Sequence, residues 1–424
     1  MSIDASISNP TRAGLRPSTA GRAFPATDRH GAELPVSGWQ KLPDDEVRLT
    51  GETPGSREAG LSATRLRALQ DSLGLDVVPG TDERVSQKAE AHEPDATVAV
   101  FDDFRNADEK GQFTHGELVE GRLQEQGNLG DEDVQRYQTD FGADFGEFEE
   151  NLAQGDKNAL EDFIESSYTN SLDSTTGALK EVLDDDGSKI RTVNQSQSQA
   201  RGRLARDIWD KTEDAPFRED LARSLGFESE VSDRELAEAL TQKINQTVSE
   251  SEKIGKAKRR YDQTSQEAAE AGITHVVTSG NLGDFARQWD KLGVEVDDDF
   301  YDSALINDHT TVAAAVDQSL APPGSAGFNS PRAGAELAAP GVNLDVTAQD
   351  GDWTNASGTS LAAPAISAVA ARLATLRPDL SPREIEEVLK QTADPTRGPK
   401  SDIGEGSLNA EEALRSVQHE FSGQ

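Results

Sequence analysis

Short runs of apolar residues recur along this chain, and segments with helical periodicity separate them. The runs are TVAVF, IRTV, HVVTS and TVAAAV, at residues 97–101, 190–193, 275–279 and 311–316. Continuous apolar runs of this length are typical of parallel strands that are buried on both faces. Because strands and helices alternate, the pattern predicts an α/β fold with a doubly wound, mainly parallel sheet.

Two long stretches have apolar residues at helical spacing, and we interpret them as helical insertions. They cover about residues 122–186 and about residues 200–270. Within the second, Ser232 and Glu235 form a capping box that opens an amphipathic helix. The apolar stripes of both stretches favour packing of helix against helix over a groove for a partner.

The first 60 residues show no sustained period and are rich in Ser, Pro, Gly and Arg. This composition indicates disorder, followed by one short helix that starts near Ser62. We therefore predict an N-terminal extension over residues 1–90, largely disordered and open to trimming, and a folded domain over residues 91–420.

The chain is strongly acidic, with 42 Lys and Arg against 78 Asp and Glu and a formal charge of −36. That field repels nucleic acid and anionic membrane surfaces. The simpler interpretation of the charge is solubility, and the alternative is attraction of basic substrates or calcium. The N-terminus lacks the apolar core of a signal peptide. No stretch of the sequence approaches 18 apolar residues, so we expect no membrane-spanning segment. We expect a cytoplasmic protein, or one exported by a leaderless route. Cysteine is absent, which excludes disulfides and thiol chemistry.

The segment NASGTSLAAPAISAVAARLATL, residues 355–376, reads as a buried helix that begins near Ser360. A serine at a helix N-terminus lies where free N–H groups favour a developing negative charge. Pro364 is expected in the first turn, where a missing N–H costs least. From the residues alone, capping of an ordinary helix explains the serine as well as catalysis does.

A serine nucleophile needs an imidazole base that a carboxylate orients. His115 opens the segment HGELVEG, and the apolar run VAVF ends in Asp102 and Asp103. Either aspartate could supply the carboxylate. Asn281 follows another predicted strand in the segment HVVTSGNLG.

These segments resemble the motifs of the subtilisin-like serine peptidases. Gly358-Thr359-Ser360-Leu361-Ala362-Ala363-Pro364 resembles the family's Gly-Thr-Ser-x-Ala-x-Pro, and HGELVEG is similar to its His-Gly-x-x-Val-x-Gly. The resemblance implies that Ser360 is the nucleophile, His115 the base and Asp102 its partner, and that Asn281 lines the oxyanion hole. It also implies that Asn194 and Ser196 lie on a substrate-aligning strand. The order Asp, His, Ser along the chain agrees with this family.

The resemblance implies a serine endopeptidase that hydrolyses protein or peptide substrates and needs no cofactor for its chemistry. Structural calcium is possible, since the family often carries it, and residues 184–187 and 297–299 are acidic clusters. The helical insertions could dock a protein inhibitor or a substrate. The alternative is a catalytically silent subtilisin fold that acts as a binding protein.

Overall fold

The computed structural model describes residues 97–105, 114–185, 188–320, 323–347 and 353–419. The predicted N-terminal extension over residues 1–90 and its helix near Ser62 lie outside the described residues, and the predicted cellular location stays a prediction.

The predicted α/β fold with a mainly parallel sheet is confirmed. The strands are β1 Thr97–Asp102, β2 Val134–Gln138, β3 Ile190–Gln195, β4 Thr274–Thr278, β5 Thr310–Asp317, β6 Gly324–Ser325, β7 Leu337–Pro340, β8 Leu344–Thr347 and β9 Trp353–Ala356. Within the described chain, β1 to β7 form one sheet with the order β2-β1-β3-β4-β5, and both β6 and β7 pair with β5. In this sheet β6 runs antiparallel to its neighbour, while β8 and β9 form a separate antiparallel pair.

Helices connect most of these strands. They are α1 His115–Gly127, α2 Phe145–Ala153, α3 Ala159–Asp184, α4 Arg201–Asp210, α5 Ala215–Ser224, α6 Asp233–Glu250, α7 Glu252–Glu270, α8 Gly283–Leu292, α9 Thr359–Leu376, α10 Pro382–Gln391, α11 Lys400–Ile403 and α12 Ala410–His419. The four apolar runs of the sequence become β1, β3, β4 and β5, as predicted.

The sheet is covered on both faces, which is why its central strands are apolar on both sides. One face packs on α1 and α9, where Val98 and Val100 meet Val119 and Ala368. The other face packs on α3 and α7 through side chains that include Phe101, Leu179 and Tyr261. The two helical layers make the fold doubly wound.

The two stretches interpreted as insertions therefore contain one strand of the sheet and part of the helical layer that covers it. The last turns of α3 and most of α7 are the helical layer under the sheet. The first stretch also holds β2, which pairs in parallel with β1. Helical periodicity missed β2 because its residues, VQRYQ, are mostly polar and it lies at the sheet edge, exposed on one side. The remaining helices α2, α4, α5, α6 and α8 form a second core around Trp289.

Helix α9 is the central helix of the molecule. By length and composition it could cross a membrane, contrary to the expectation that no segment reaches that length. It is instead almost entirely enclosed, with fifteen of its residues buried between α1, α12 and the sheet. Its apolar character follows from that burial, since a helix packed on all sides carries no polar face.

Strand order reverses around β1. The chain passes from β1 to β2 on one side and then returns to β3 on the other. In doubly wound sheets, the crevice at the carboxyl ends of strands that diverge in this way is the usual place for a site. Asp102 ends β1, and Ser196 follows the end of β3.

Candidate active site

Asp102 and His115 are in direct contact at this crevice. The Asp102 Oδ1 and His115 Nδ1 atoms are 2.6 Å apart, and both side chains are buried. The same Oδ1 accepts a hydrogen bond of 2.8 Å from the Asp103 N–H. The carboxylate thus holds one ring nitrogen of His115 and fixes the plane of the imidazole, leaving Nε2 as the nitrogen that can act on another group.

Asp103 has a different environment, and the structure separates the two aspartates that the sequence left open. Its carboxylate accepts hydrogen bonds of 2.8 Å from both Arg105 Nε and Arg105 Nη2, and one of 3.1 Å from Gln138 Nε2. Burial tends to raise the pKa of Asp103, but these hydrogen bonds outweigh it and keep the pKa below its ordinary value. Asp103 therefore stabilises the turn after β1, while Asp102 contacts the histidine.

The start of α1 fixes the position of His115. Thr114 caps the helix: its hydroxyl accepts from the Glu117 N–H, and the Glu117 carboxylate accepts from the Thr114 N–H at 2.8 Å. This capping box places His115 at the first helical position. Gly116 donates its N–H to the Asp103 carbonyl at 3.0 Å, and a Cβ there would lie 2.7 Å from the Phe104 ring. Glycine is thus needed for α1 to approach the end of β1.

Ser360 is the second residue of α9, which begins at Thr359. The side chain is 1% exposed, and within the described part of the chain its Oγ has no hydrogen-bond partner. A buried hydroxyl normally has a partner, so an unpaired one calls for an explanation, and a catalytic role is one such explanation. Ser360 also lies in the first turn of α9, where the helix dipole favours negative charge.

The position predicted for Pro364 is wrong. It is the sixth residue of α9, in the second turn, where its N–H would have donated to the Ser360 carbonyl. The sequence pattern placed the helix start too late. The consequence is that the Ser360 carbonyl lacks its normal helical donor.

Asn281 lies against the start of α9. Its Oδ1 accepts two hydrogen bonds of 3.0 Å from Thr359, one from the main-chain N–H and one from the hydroxyl. These bonds orient the amide so that Nδ2 points the opposite way. A Cβ placed on Gly358 would lie 3.4 Å from Asn281 Nδ2 and 3.0 Å from Ser360 Oγ. The glycine therefore leaves open the small volume that both atoms border.

Asn194 and Ser196 lie beneath Ser360 and do not face the outside. Ser196 Oγ donates to the Ser360 carbonyl at 2.9 Å and accepts from Asn194 Nδ2 at 3.0 Å. Asn194 Oδ1 accepts from Ser367 Oγ at 2.9 Å. Both predicted substrate-binding side chains are thus buried and bonded within the protein. This arrangement does not support the prediction that these side chains bind substrate, because their polar atoms connect β3 to α9.

The backbone after Ser196 is also engaged internally. The Ser198 carbonyl accepts from Arg203 Nη1 at 2.9 Å. The Gln199 N–H donates to Ser303 Oγ at 3.0 Å, and its carbonyl accepts from the Ala304 N–H at 2.7 Å. Residues 196–200 are all buried. A segment with these partners is not available to pair with a substrate strand in the described conformation.

His275 is a histidine of the interior, distinct from the site. It lies in β4, and its Nε2 is 3.1 Å from Gln195 Oε1. Burial lowers the pKa of His275 to about 3, which keeps the ring neutral. It packs edge-on against Phe101 and belongs to the core.

The acidic cluster at residues 297–299 is paired with cations and an amide. Asp299 contacts Arg201 at 2.7 Å, Asp298 contacts Arg332 at 2.5 Å, and Asp297 accepts from Asn245 at 2.9 Å. The described residues contain no group of three acidic or histidine side chains that could hold a metal ion. The cluster at residues 184–187 lies partly outside the described residues, so calcium stays a prediction.

Some residues that support the site escaped the sequence analysis. Thr359 orients Asn281, and its signal was its place inside the Gly-Thr-Ser motif. Thr114 and Glu117 carry the signature of a capping box, which would have fixed the start of α1. Ser367 has no local signal, since only the packing of α9 on β3 gives it a role.

A family comparison agrees with this geometry. Residues 178–411, more than half of the chain, match the model described as the Subtilase family. The matched range includes Asn281 and Ser360, while Asp102 and His115 precede it.

Several curated proteins are similar over shorter stretches. Subtilisin DY from Bacillus licheniformis is 30% identical over 153 residues, covering 36% of this chain and 51% of the relative. Subtilisin Savinase from Lederbergia lenta is 36% identical over 90 residues, covering 21% of this chain and 33% of the relative. Bacillopeptidase F from Bacillus subtilis (strain 168) is 39% identical over 93 residues, covering 19% of this chain and 6% of the relative. The chain therefore spans about half the length of these relatives or less.

Among solved structures, the prenylagaramide maturation protease PagA matches with 15% identity and a TM-score of 0.43, over 79% of this chain and 98% of that one. A lanthipeptide protease matches with 13% identity and a TM-score of 0.44, over 78% of this chain and 92% of that one.

Proposed function

The chain belongs to the subtilase family, a family of serine peptidases, and we propose that it hydrolyses peptide bonds in protein or peptide substrates as a serine endopeptidase. The observation that carries the proposal is the 2.6 Å contact between Asp102 and His115, combined with an unpaired Ser360 hydroxyl at the start of α9. A carboxylate, an imidazole and a serine hydroxyl at the crevice of one sheet are the components of a catalytic triad.

The proposed reaction begins with attack of Ser360 Oγ on the scissile carbonyl carbon. His115 Nε2 takes the hydroxyl proton as the C–O bond forms and later gives it to the leaving amine as the C–N bond breaks. Water then attacks the acyl carbon while His115 Nε2 accepts its proton. The ester bond to Ser360 Oγ breaks, His115 returns the proton to that oxygen, and the carboxylic acid product leaves. Asp102 keeps its contact with His115 Nδ1 and stabilises the imidazolium.

The oxyanion formed in each step carries its charge next to the start of α9. Asn281 Nδ2 and the Ser360 main-chain N–H are the proposed donors. Thr359 supports this role because its two hydrogen bonds hold the Asn281 amide in one orientation before substrate arrives. Donors that need no reorganisation are the most effective in stabilising a transition state.

The direct test is hydrolysis of a peptide panel by the full chain and by its Ser360→Ala variant. We expect cleavage by the parent chain and a loss of at least about 10⁴-fold in the variant, since the remaining groups cannot form an acyl-enzyme. Ser357→Ala is the matched control. Ser357 Oγ accepts a hydrogen bond of 2.8 Å from the Asn343 N–H. It takes no part in the proposed reaction, so the Ser357→Ala variant should keep its activity. Equal rates for the parent chain and Ser360→Ala would refute the proposal.

A second candidate is a catalytically silent fold that binds proteins without cleaving them. The internal pairing of residues 198–199 favours it, because these backbone groups are not open to align a substrate. This candidate predicts a folded parent chain that cleaves no member of the panel.

A further inference from the structure

Pro364 leaves the main-chain carbonyl of Ser360 without its helical hydrogen-bond donor. In an α-helix, the carbonyl of each residue accepts the N–H four positions later. For Ser360 that position is Pro364, which has no N–H. The carbonyl of the proposed nucleophile would thus be a buried acceptor without its helical donor, a costly arrangement.

The Ser196 hydroxyl supplies a donor in its place. Ser196 Oγ is 2.9 Å from the Ser360 carbonyl oxygen, in the interior, with Ser196 only 2% exposed. Ser196 belongs to the segment after β3, so this bond comes from outside the helix. It links the sheet directly to the residue that carries the nucleophile.

Two further hydrogen bonds set the direction of this contact. Asn194 Nδ2 donates to Ser196 Oγ, so the Ser196 proton is directed at the Ser360 carbonyl. Ser367 donates to Asn194 Oδ1, which fixes the amide with its nitrogen toward Ser196. Ser360 and Ser367 are seven residues apart and therefore lie on one face of α9. The relay joins β3 to that face at two points.

We propose that Ser196, oriented by Asn194, is a positioning residue: it replaces the hydrogen bond that Pro364 removes and thereby fixes the first turn of α9 for catalysis. The inference rests on the proposed peptidase function. It assigns to Ser196 a role in placing Ser360 Oγ against His115, in place of a role in binding substrate.

The test is a double-mutant cycle of Ser196→Ala and Pro364→Ala in the full chain. Turnover is normalised to active sites titrated with a fluorophosphonate, so unfolded protein does not count. Ser196→Ala should lower kcat by about 10–100-fold and leave KM within about twofold, because a small displacement of a reacting group is costly to the chemical step. Pro364→Ala restores a main-chain N–H, so in its background Ser196→Ala should lower kcat by no more than about threefold.

Thermal denaturation of the same four proteins follows the hydrogen bond without needing activity. Ser196→Ala should lower Tm by about 2–8 °C when Pro364 is present and by less in the Pro364→Ala background, where the carbonyl has a helical donor. Thr375→Val is the matched control. Its hydroxyl donates to the Ala371 carbonyl at 3.0 Å in the same helix, away from the nucleophile, and kcat should stay at the parent value.

The outcomes are distinct. A parent-like kcat for Ser196→Ala with a lowered Tm means that the residue is merely structural and overturns the inference while leaving the peptidase function intact. The same loss of kcat in both backgrounds also overturns it, since the added N–H then replaces nothing. A parent chain that neither cleaves nor reacts with the fluorophosphonate removes the proposed function and the positioning role together.

Discussion

At the scale of single residues, the site depends on polar side chains that hold one another in place. Asp102 holds His115, Thr359 holds Asn281, and Ser196 holds the Ser360 carbonyl. The Ser360 hydroxyl, by contrast, has no hydrogen-bond partner among the described residues. Neighbours held in this way keep the base and the donors in place around the Ser360 hydroxyl, which is what electrostatic preorganisation requires.

Asn281→Ala tests the proposed oxyanion donor. We expect kcat to fall roughly 10²–10³-fold with KM little changed, the cost known for losing one such donor in a subtilisin. Asn355→Ala is the control, because its exposed amide donates to Asp345 in the β8–β9 pair. A kcat within about twofold of the parent value for Asn281→Ala would exclude this amide from the oxyanion site.

Glu336 provides a residue-scale prediction for stability. Burial, followed by repulsion from Glu386, raises its pKa to about 7, although its carboxylate accepts the Val312 N–H at 3.0 Å and faces Lys390 at 3.9 Å. Because folding raises the pKa of this carboxyl, its contribution to folding stability is fully present below the unfolded pKa, near 4.5. That contribution is lost as the pH rises through 7.

Glu336→Gln should therefore stabilise the protein at pH 8 by about 1–3 kcal/mol and give no gain at pH 4. The Gln side chain keeps an acceptor for the Val312 N–H. Denaturant unfolding at the two pH values measures the difference. An equal effect at both pH values would show that ionisation of Glu336 is not its source.

Among the secondary-structure elements, the apolar strands of the sheet could be predicted from the sequence. The edge strand and the long-range contacts around the sheet could not. The runs that became β1, β3, β4 and β5 are apolar enough to be read locally. Strand β2 is an edge strand with polar residues, so its sequence carried no such signal. The backbone partners of Gln199 are Ser303 and Ala304, about a hundred positions later, and such a contact leaves no local pattern.

The same reasoning explains the error over Pro364. A proline is read from sequence as a mark of the first turn, but tertiary contacts can satisfy the carbonyl that it leaves without a donor. The substitute donor, Ser196, lies 164 residues before Ser360. Motif spacing identified the residues of the site, while the partners that hold them required the fold.

The helices around Trp289 are an element-scale cluster with a core of their own. Leu236 is fully buried there, among side chains that include Leu240 and Trp289. Leu236→Ala should lower the free energy of unfolding by about 2–5 kcal/mol, because it leaves a cavity in a packed site. Glu238→Ala, on the exposed face of the same helix, should change it by less than about 0.5 kcal/mol. Similar losses for both variants would contradict a well-packed core.

At the scale of the whole molecule, the net charge of −36 bears on the choice of substrate. A field of that sign raises the encounter rate of cationic peptides and is weakened as salt screens it. Raising NaCl from about 20 to about 500 mM should lower kcat/KM at least about fivefold for a Lys- and Arg-rich peptide and less than about twofold for its neutral counterpart. A matching salt dependence for both peptides would exclude electrostatic steering.

If Ser360 is an activated nucleophile, it reacts with a fluorophosphonate. Mass spectrometry of the folded full chain after this reaction, with proteolytic mapping of the modified serine, measures that directly. We expect one adduct, on the peptide that contains Ser360, and loss of that adduct in His115→Ala. A folded chain without an adduct, or with the adduct on another serine such as Ser357 or Ser367, would contradict it.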